Sequence, residues 1–401
     1  MLKKITKIPL YIFAVIFVLI IRLIRPLLLV RIGELVSARI GHFAANTELY
    51  LCEQDAGINY PKQKHIDIFF MSYKPVCNKQ LAIMWKRVLN IWPSWVLSPI
   101  FKINRLIPGS GIHEVGQNTQ HDRDVHNLLD RFPAHLKFTN EENFRGQKGL
   151  EAMGISDKSK FVCLNVRDSA YLNNYLASDC TYHNYRDSNI QNYVLAAEAL
   201  TEKGYFVIRM GALVKSAINT NNPKIIDYAV NGMRNDFMDV YLGAKCTFCI
   251  STSSGFDAIP SIFRRPVVFV NSMPLGYSST FSSNYIFITK YHFAKKINRF
   301  MTLSEIVSDK VLLSMKSSEF ELSDVELIEN TSSDIRDAVM EMAERIEGSW
   351  VSLPEDESIQ EIFWKIFPSE VVDIYDGKLL HGEIRSLVGT KFLRNNPEFL
   401  I

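Results

Sequence analysis

A chain of 401 residues, 47% hydrophobic and 22% charged, has enough apolar content for more than one buried core. Its 19 Gly and 15 Pro exclude collagen-like or low-complexity architecture. The net charge of +2 is uneven: residues 1–31 hold Lys3, Lys4, Lys7, Arg22, Arg25 and Arg31 with no acid, leaving −4 over the remainder, which excludes a general nucleic-acid binder.

The first element is an uncharged apolar run, Ile8–Ile21, interrupted by Arg22, Arg25 and Pro26 before a second run, Leu27–Val30. It is shorter than the roughly twenty residues of a spanning helix. No small-x-small cleavage site precedes the arginines. Basic residues on both flanks suit a helix lying in the membrane interface, with Lys and Arg reaching lipid phosphates. A short span and a first core helix are the alternatives. Anionic lipid is the expected partner. The six cysteines, at 52, 77, 163, 180, 246 and 249, are too sparse for a disulfide scaffold and fit a reducing compartment. The body is therefore expected on the cytoplasmic face of a membrane.

From Leu27 short apolar strands alternate with helical stretches, the pattern of α/β domains. Leu27–Leu35 reads as a strand, and Gly41-His42-Phe43 opens a helix through Cys52. His65–Ser72 is a second strand. Residues 79–90 form a helix with Leu81, Trp85, Val88 and Leu89 on one face. A polar stretch, 108–135, and a helix over Glu141–Met153 lead to a clearer second series. That series starts with the buried strand Phe161–Val166. Ser188 and Gln191 make a capping box for a helix ending at Gly204. Strands follow at Tyr205–Gly211, Cys246–Ile250, Pro266–Asn271 and Tyr285–Thr289, and the chain from Ser332 reads as helical. Cys246 and Cys249 form a CxxC, but no second pair completes a metal site, and an offset of three in a strand points the thiols apart. They read as core. The expected division is a membrane-associated segment (1–26), a first α/β lobe (27–154), a second (155–330) and a helical tail (331–401).

The strongest chemical signal is the strand–Ser251-Thr252-Ser253-Ser254-Gly255–helix turn. Small residues at the carboxyl end of a parallel strand let free N–H groups and a helix N-terminus meet an anion. No Gly-Lys-Ser/Thr follows, so this is no P-loop, and no GxGxxG is present. Arg167 and Arg209 stand at the ends of two further strands on the same edge, which reads as a diphosphate clamp beside Ser253, Ser254, Gly255 and Gly211. Asp168, Tyr171, His183, Tyr185 and Arg186 occupy the loop after the first of those strands, where substrates are contacted. In the first lobe, His42 at a loop-to-helix junction is a candidate general base, or a capping histidine. His121-Asp122-Arg123-Asp124-Val125-His126 can hold a divalent ion, but alternating charge more often marks a solvated or salt-bridged turn, and no metal is assigned.

The segments RIGELVSARIGHFAANTELYL, HDRD, FTNEEN, LNVRDSAY, YHNYRDS, GYFVIRMG and STSSGFDAIPSIFRRPVVFVN together resemble a group of bacterial glycosyltransferases associated with surface-polysaccharide synthesis. The resemblance implies a GT-B-like fold, two Rossmann-like lobes facing a cleft, with a nucleotide-sugar held mainly by the second. It implies Arg167 and Arg209 on the donor phosphates, Ser253, Ser254 and Gly255 at the helix start, and His42 near the acceptor. LNVRDSAY is also similar to the arginine-bearing strand end of several fucosyltransferases. The chain has no DxD after a donor-lobe strand and lacks the acidic motif of many retaining enzymes, so metal-independent, inverting transfer without a cofactor is implied. The acceptor would be a glycan or a lipid-linked glycan, at the bacterial inner membrane. Two other classes stay open: a membrane-anchored subunit that binds a phosphorylated ligand without turnover, and a nucleotide-sugar hydrolase or epimerase.

Overall fold

The computed structural model describes residues 8–72, 75–115, 123–170, 181–375 and 377–401. The chain divides into two compact units: residues up to 122 together with 132–139, and 123–131 together with 140–401. The expected division near residue 155 lies inside the second unit.

The first unit is built on two parallel strands, β1 (Leu29–Leu35) and β2 (His65–Met71), paired from Leu29↔His65 to Leu35↔Met71. Side chains alternate between the two faces, as the pleat demands. On one face Val30, Ile32, Ile68 and Phe70 form a core with Ala14, Val18 and Ile21 of α1 (Ile8–Leu23) and Leu97, Ile100 and Phe101 of α4 (Ser94–Arg105). The other face meets α2 (Ile40–Ala56): the Tyr50 ring stands edge-on to Phe69 at 5.0 Å, and its hydroxyl donates to Asp67 at 2.5 Å. Gly33 sits beneath that ring, where a Cβ would come within 2.7 Å of Phe69. Trp85 of α3 (Lys79–Val88) is fully buried and donates its Nε1 to the Phe43 carbonyl at 3.0 Å.

Two expectations differ from the structure. Arg31 belongs to no membrane flank: it is 6% exposed and donates Nε to Asp67 at 2.7 Å, its cross-strand partner. Burial of the strand turned a basic residue into half of an internal ion pair. The first lobe is no full Rossmann-like sheet, since its described residues add to β1 and β2 only the isolated bridges Ile32–Glu114 and Phe69–Ile91. Among the described residues, no helix is long and apolar enough to cross a membrane.

The second unit carries a seven-stranded sheet in the order β12-β8-β7-β6-β3-β4-β5, every pair parallel. The strands are β3 (Phe161–Asn165), β4 (Phe206–Met210), β5 (Ile225–Ile226), β6 (Cys249–Ser251), β7 (Val267–Ser272), β8 (Tyr285–Thr289) and β12 (Leu387–Val388). Apolar runs buried on both faces explain the parallel sheet. Beside it lies a small antiparallel sheet of β9 (Tyr291–Ala294), β10 (Arg299–Phe300) and β11 (Val325–Ile328), in the order β10-β9-β11. The chain first runs outward from β3 through β4 to β5, then returns to β3's other side and runs outward through β6, β7 and β8. The order reverses between β3 and β6.

Local signals shifted by a residue or two. The capping residue before the helical stretch 190–202 is Asn189, whose side chain accepts from Gln191 N, instead of Ser188. Cys246 ends the helix Asp236–Lys245, and the strand begins only at Cys249. Cys163 pairs with Cys249 in register, and burial pushes both thiols up, which makes them inert core residues. The tail is no separate helical appendage. Helix Ser332–Glu347 packs on the helix Val194–Glu202 and on β7, while Leu387–Val388 extends the main sheet alongside β8. Those two residues are too few to announce a strand in sequence; pairing made them one.

Candidate functional site

In an open parallel sheet the loops at the reversal point leave in opposite directions and open a crevice beyond the strand ends. Here that crevice lies beyond the carboxyl ends of β3 and β6, and the sequence feeds it with Asn165–Ser169 from one strand and Ser251–Gly255 from the other. The two segments are stitched together. Arg167 N donates to Thr252 Oγ1 at 2.9 Å, and Asn165 Nδ2 donates to Ser254 Oγ. Ser253 takes a left-handed backbone (φ 55), its hydroxyl pairs with Ser272 Oγ at 3.0 Å, and its carbonyl accepts from Arg186.

Three cations gather at this edge. Arg167 donates Nε to Asp187 at 3.2 Å, with its side chain 14% exposed. Lys290, directly after β8, is 4% exposed and donates to the Asp187 carbonyl at 2.6 Å. Arg186 reaches the Ser253 carbonyl from the neighbouring position. Burial, and then the Arg186 charge, hold Arg167 below the usual guanidinium range. Burial lowers Lys290, with Arg167 adding to the same direction. Asp187, the acid that Arg167 grips, is itself pushed up by burial. Two carboxylates face the three cations, Asp187 beside Arg167 and Glu329 toward Lys290, which leaves a small excess of positive charge for an anion to complete. Two further atoms are unused: among the described residues, neither Arg186 Nε nor Tyr185 Oη has a hydrogen-bond partner, though both are buried. Orphaned donors beside excess positive charge are what a bound polyanion would satisfy.

The expected clamp is thus partly reassigned. Arg209 is 1% exposed and its guanidinium is taken by Asp227 Oδ1 at 3.0 Å and the Ser216 carbonyl at 3.0 Å. It fastens the loop after β4 through both terminal nitrogens, and only its Nε has no partner among the described residues. Gly211 serves that same loop, with φ 154 and a virtual Cβ 2.6 Å from Val214. Asp168 accepts from Ala170 N at 2.9 Å and Lys215 N at 2.8 Å, so each of its oxygens ties loops together. The helix-terminus argument also changes. Gly255 opens a single 3-10 turn, Gly255–Asp257, before a five-residue helix, Ala258–Ile262, too short to add a useful dipole. Attraction for an anion at this edge comes from side chains. Ser253 and Ser254 shape the turn through internal hydrogen bonds. The His183 and Tyr182 rings lie tilted with centroids 4.0 Å apart in the 3-10 helix Thr181–Arg186, which is braced where Ser317 Oγ accepts from Tyr185 N at 3.3 Å. Tyr171 lies outside the described residues.

Lys290 escaped sequence reading, although it carries the signal used for Arg167 and Arg209: a cation directly after a strand of the same edge. Of the polar cluster at 121–126, His121 and Asp122 lie outside the described residues. Asp124 caps a short helix by accepting from Leu128 N at 2.7 Å and Leu129 N at 2.8 Å. Arg123 donates to the carbonyls of Leu380, Tyr277 and Ser278. Both are structural.

In the first unit, α2 starts at Ile40, so Gly41 and His42 lie in its first turn and not in a loop. His42 is half-buried, and its Nδ1 has no hydrogen-bond partner among the described residues. Glu48, Cys52 and His135 also converge there, with one ligating atom of each within 4.8 Å of the others. His135 is already engaged on both nitrogens, to Glu48 at 3.1 Å and Asp55 at 3.0 Å, and reads as a salt-bridged brace.

No protein-family model and no curated protein matches the chain. Among solved structures it is similar to a glycosyl transferase of family 9 from Veillonella parvula, at 12% identity and TM-score 0.40, over 66% of this chain and 86% of that one. It is also similar to the E. coli ADP-heptose LPS heptosyltransferase II, at 14% identity and TM-score 0.38, over 64% and 90%. A third is the iron-containing dodecameric glycosyltransferase TibC from enterotoxigenic E. coli, at 13% identity and TM-score 0.32, over 61% and 59%. At such TM-scores the overlap assigns neither fold nor activity.

Proposed function

We propose that the protein is a glycosyltransferase that moves a sugar from a nucleotide-sugar donor to a glycan acceptor. The observation that carries this reading is the cluster of three cations, Arg167, Arg186 and Lys290, beside Asp187 and Glu329 at the reversal point of a parallel sheet. A nucleoside diphosphate brings two to three negative charges and a row of acceptor oxygens, the complement of that edge. In transfer, the acceptor oxygen attacks the anomeric carbon and the bond to the diphosphate breaks, with its electron pair leaving on the phosphate oxygen. The cations stabilise the charge that grows there, which is the largest electrostatic task of the step. The acceptor's proton needs a base, and His42, whose Nδ1 has no hydrogen-bond partner among the described residues, is proposed for that role. One displacement of this kind inverts the anomeric centre. With three side-chain cations at the phosphates, transfer is proposed to proceed without a metal ion. A lipid-linked glycan in bacterial surface-polysaccharide synthesis is the acceptor class that the sequence resemblance suggests.

The test is release of nucleoside diphosphate from a panel of nucleotide sugars with and without glycan acceptors. Acceptor-dependent release supports the reading. Release to water alone would make the protein a hydrolase, and tight binding without release would make it a binding subunit. His42→Ala is expected to lower the single-turnover rate about 10²–10⁴-fold while donor binding stays unchanged. A destabilised variant with a normal chemical step would move the base elsewhere.

A further inference from the structure

The first unit carries an apolar surface that sugar transfer does not use. Along α1, Ala14, Val18 and Ile21 fall at i, i+4 and i+7 and are buried against the sheet and α4. Ile12, Ile16, Leu19 and Leu23 form a second stripe with the same spacing, and they are 56%, 52%, 57% and 80% exposed. Tyr11, Phe13, Val15 and Ile20 widen it, and Trp92 and Trp95, just before and within α4, are exposed in the same unit. Soluble monomers rarely leave so continuous an apolar face in water. The helix cannot easily leave its seat: Arg22 ties its end to the Pro108 carbonyl at 3.0 Å and to Asn104 Oδ1 at 3.1 Å.

We propose that this face docks α1 lengthwise in the interface of an anionic lipid bilayer, so that the protein is a monotopic membrane protein. The inference is independent of the sugar-transfer reading. Charge selects lipid over a protein partner or a second copy. Lys3, Lys4 and Lys7 precede the helix in sequence, Arg25 follows it exposed, and Lys102 is exposed on α4, with no acid in residues 1–31. A second copy would bring these cations against one another, whereas phosphatidylglycerol-type headgroups neutralise them. Exposed tryptophans are the side chains that settle at a headgroup boundary. Geometry selects lying over spanning. The sixteen described residues of the helix span roughly 24 Å against a hydrocarbon core of about 30 Å, and its other stripe is occupied by the protein's own core.

The experiment is flotation of the full-length protein with vesicles of phosphatidylcholine alone or mixed with phosphatidylglycerol. Wild type should float with the mixed vesicles and much less with the neutral ones. The double variant Ile16→Asp/Leu19→Asp alters only exposed positions, so it should keep its Tm and lose roughly tenfold or more in vesicle partition. Reversing charge in Arg25→Glu/Lys102→Glu should remove the preference for anionic lipid. Equal flotation of the Asp variant, or no flotation of wild type, would overturn the proposal. So would a concentration-dependent dimer that the Asp variant abolishes, since the face would then belong to a second copy. Environment-sensitive labels at positions 12, 16, 19 and 23 should report one shared shallow depth. A steady change of depth along the helix would mean a span and would also overturn it.

Discussion

Two strand ends of the same sheet carry an arginine, and they have opposite fates. At the end of β4, Arg209 is buried with its two terminal nitrogens taken by Asp227 and the Ser216 carbonyl, and only its Nε has no hydrogen-bond partner among the described residues. At the end of β3, Arg167 pairs with Asp187 against the charge of Arg186, whose Nε has no hydrogen-bond partner among the described residues. The difference is where each strand stands. β4 is followed closely by β5 and the loop that returns over it, whereas β3 borders β6 at the point where the sheet reverses. Position at the reversal, more than residue type, makes an arginine available for a ligand.

The largest effect expected from this contrast is at the sealed end. Arg209→Ala leaves Asp227 without its partner, and breaking a largely buried pair costs about 3–5 kcal/mol. Chemical denaturation should show that loss, with diphosphate binding by the folded fraction changed far less than in the Arg186 variant. If Arg209→Ala instead kept its stability and lost ligand, the assignment of the two ends would be reversed. Next in size, Arg186→Ala should weaken nucleoside diphosphate binding by about 1.5–3 kcal/mol, roughly tenfold to hundredfold, as charge-assisted hydrogen bonds are lost. Its Tm should hold, since a repulsion with Arg167 goes too. Calorimetric titration with unchanged affinity would refute the anion edge.

Arg167→Lys keeps the charge and gives up the fork, so a loss of about 0.5–1.5 kcal/mol in the same titration is expected. The smallest effect concerns acid. His292, whose Nδ1 is 3.1 Å from the Lys290 carbonyl, is held by burial at about 4, and His381 is held by burial at about 3. Unfolded histidines take up protons near pH 6.5. As pH falls through 6.5 toward 4 the unfolded chain therefore binds protons that the folded chain refuses, and stability is lost. Asp239, pushed by burial up to about 6, acts in the opposite sense, since the folded form keeps a proton that the unfolded form releases above about 4. His292 and His381 thus contribute a fall in Tm on acidification, which Asp124, Asp187 and His135 oppose together with Asp239. His292→Gln should make that fall shallower, and an unchanged slope would remove His292 from the account.

Much of the fold was legible because it rests on local periodicity. β1, β2 and β3 begin or end within two residues of their apolar runs, and the helices at 79–88 and 140–152 follow their patterned stretches. Of the candidate site, the edge was legible and the occupants were not. Arg167 and Arg186 could be named from where they stood, but nothing local separated them from Arg209, whose partner Asp227 is eighteen positions away. Lys290 went unread because its role depends on Asp187, 103 residues earlier. The hydroxyls of Ser253 and Ser254 looked available until Ser272 and Asn165 were seen to engage them.

The sequence by itself determined that this is an α/β chain with an apolar, basic-flanked beginning, because strand and helix periods and blocks of like charge are properties of neighbouring residues. Tertiary structure alone decided which cations stay unanswered, that Arg31 is an internal partner of Asp67, and that one stripe of α1 is core while the other faces outward. Each of these depends on what a distant segment brings alongside. Burial and pairing, which set the cost of a charge, are relations between residues far apart in sequence.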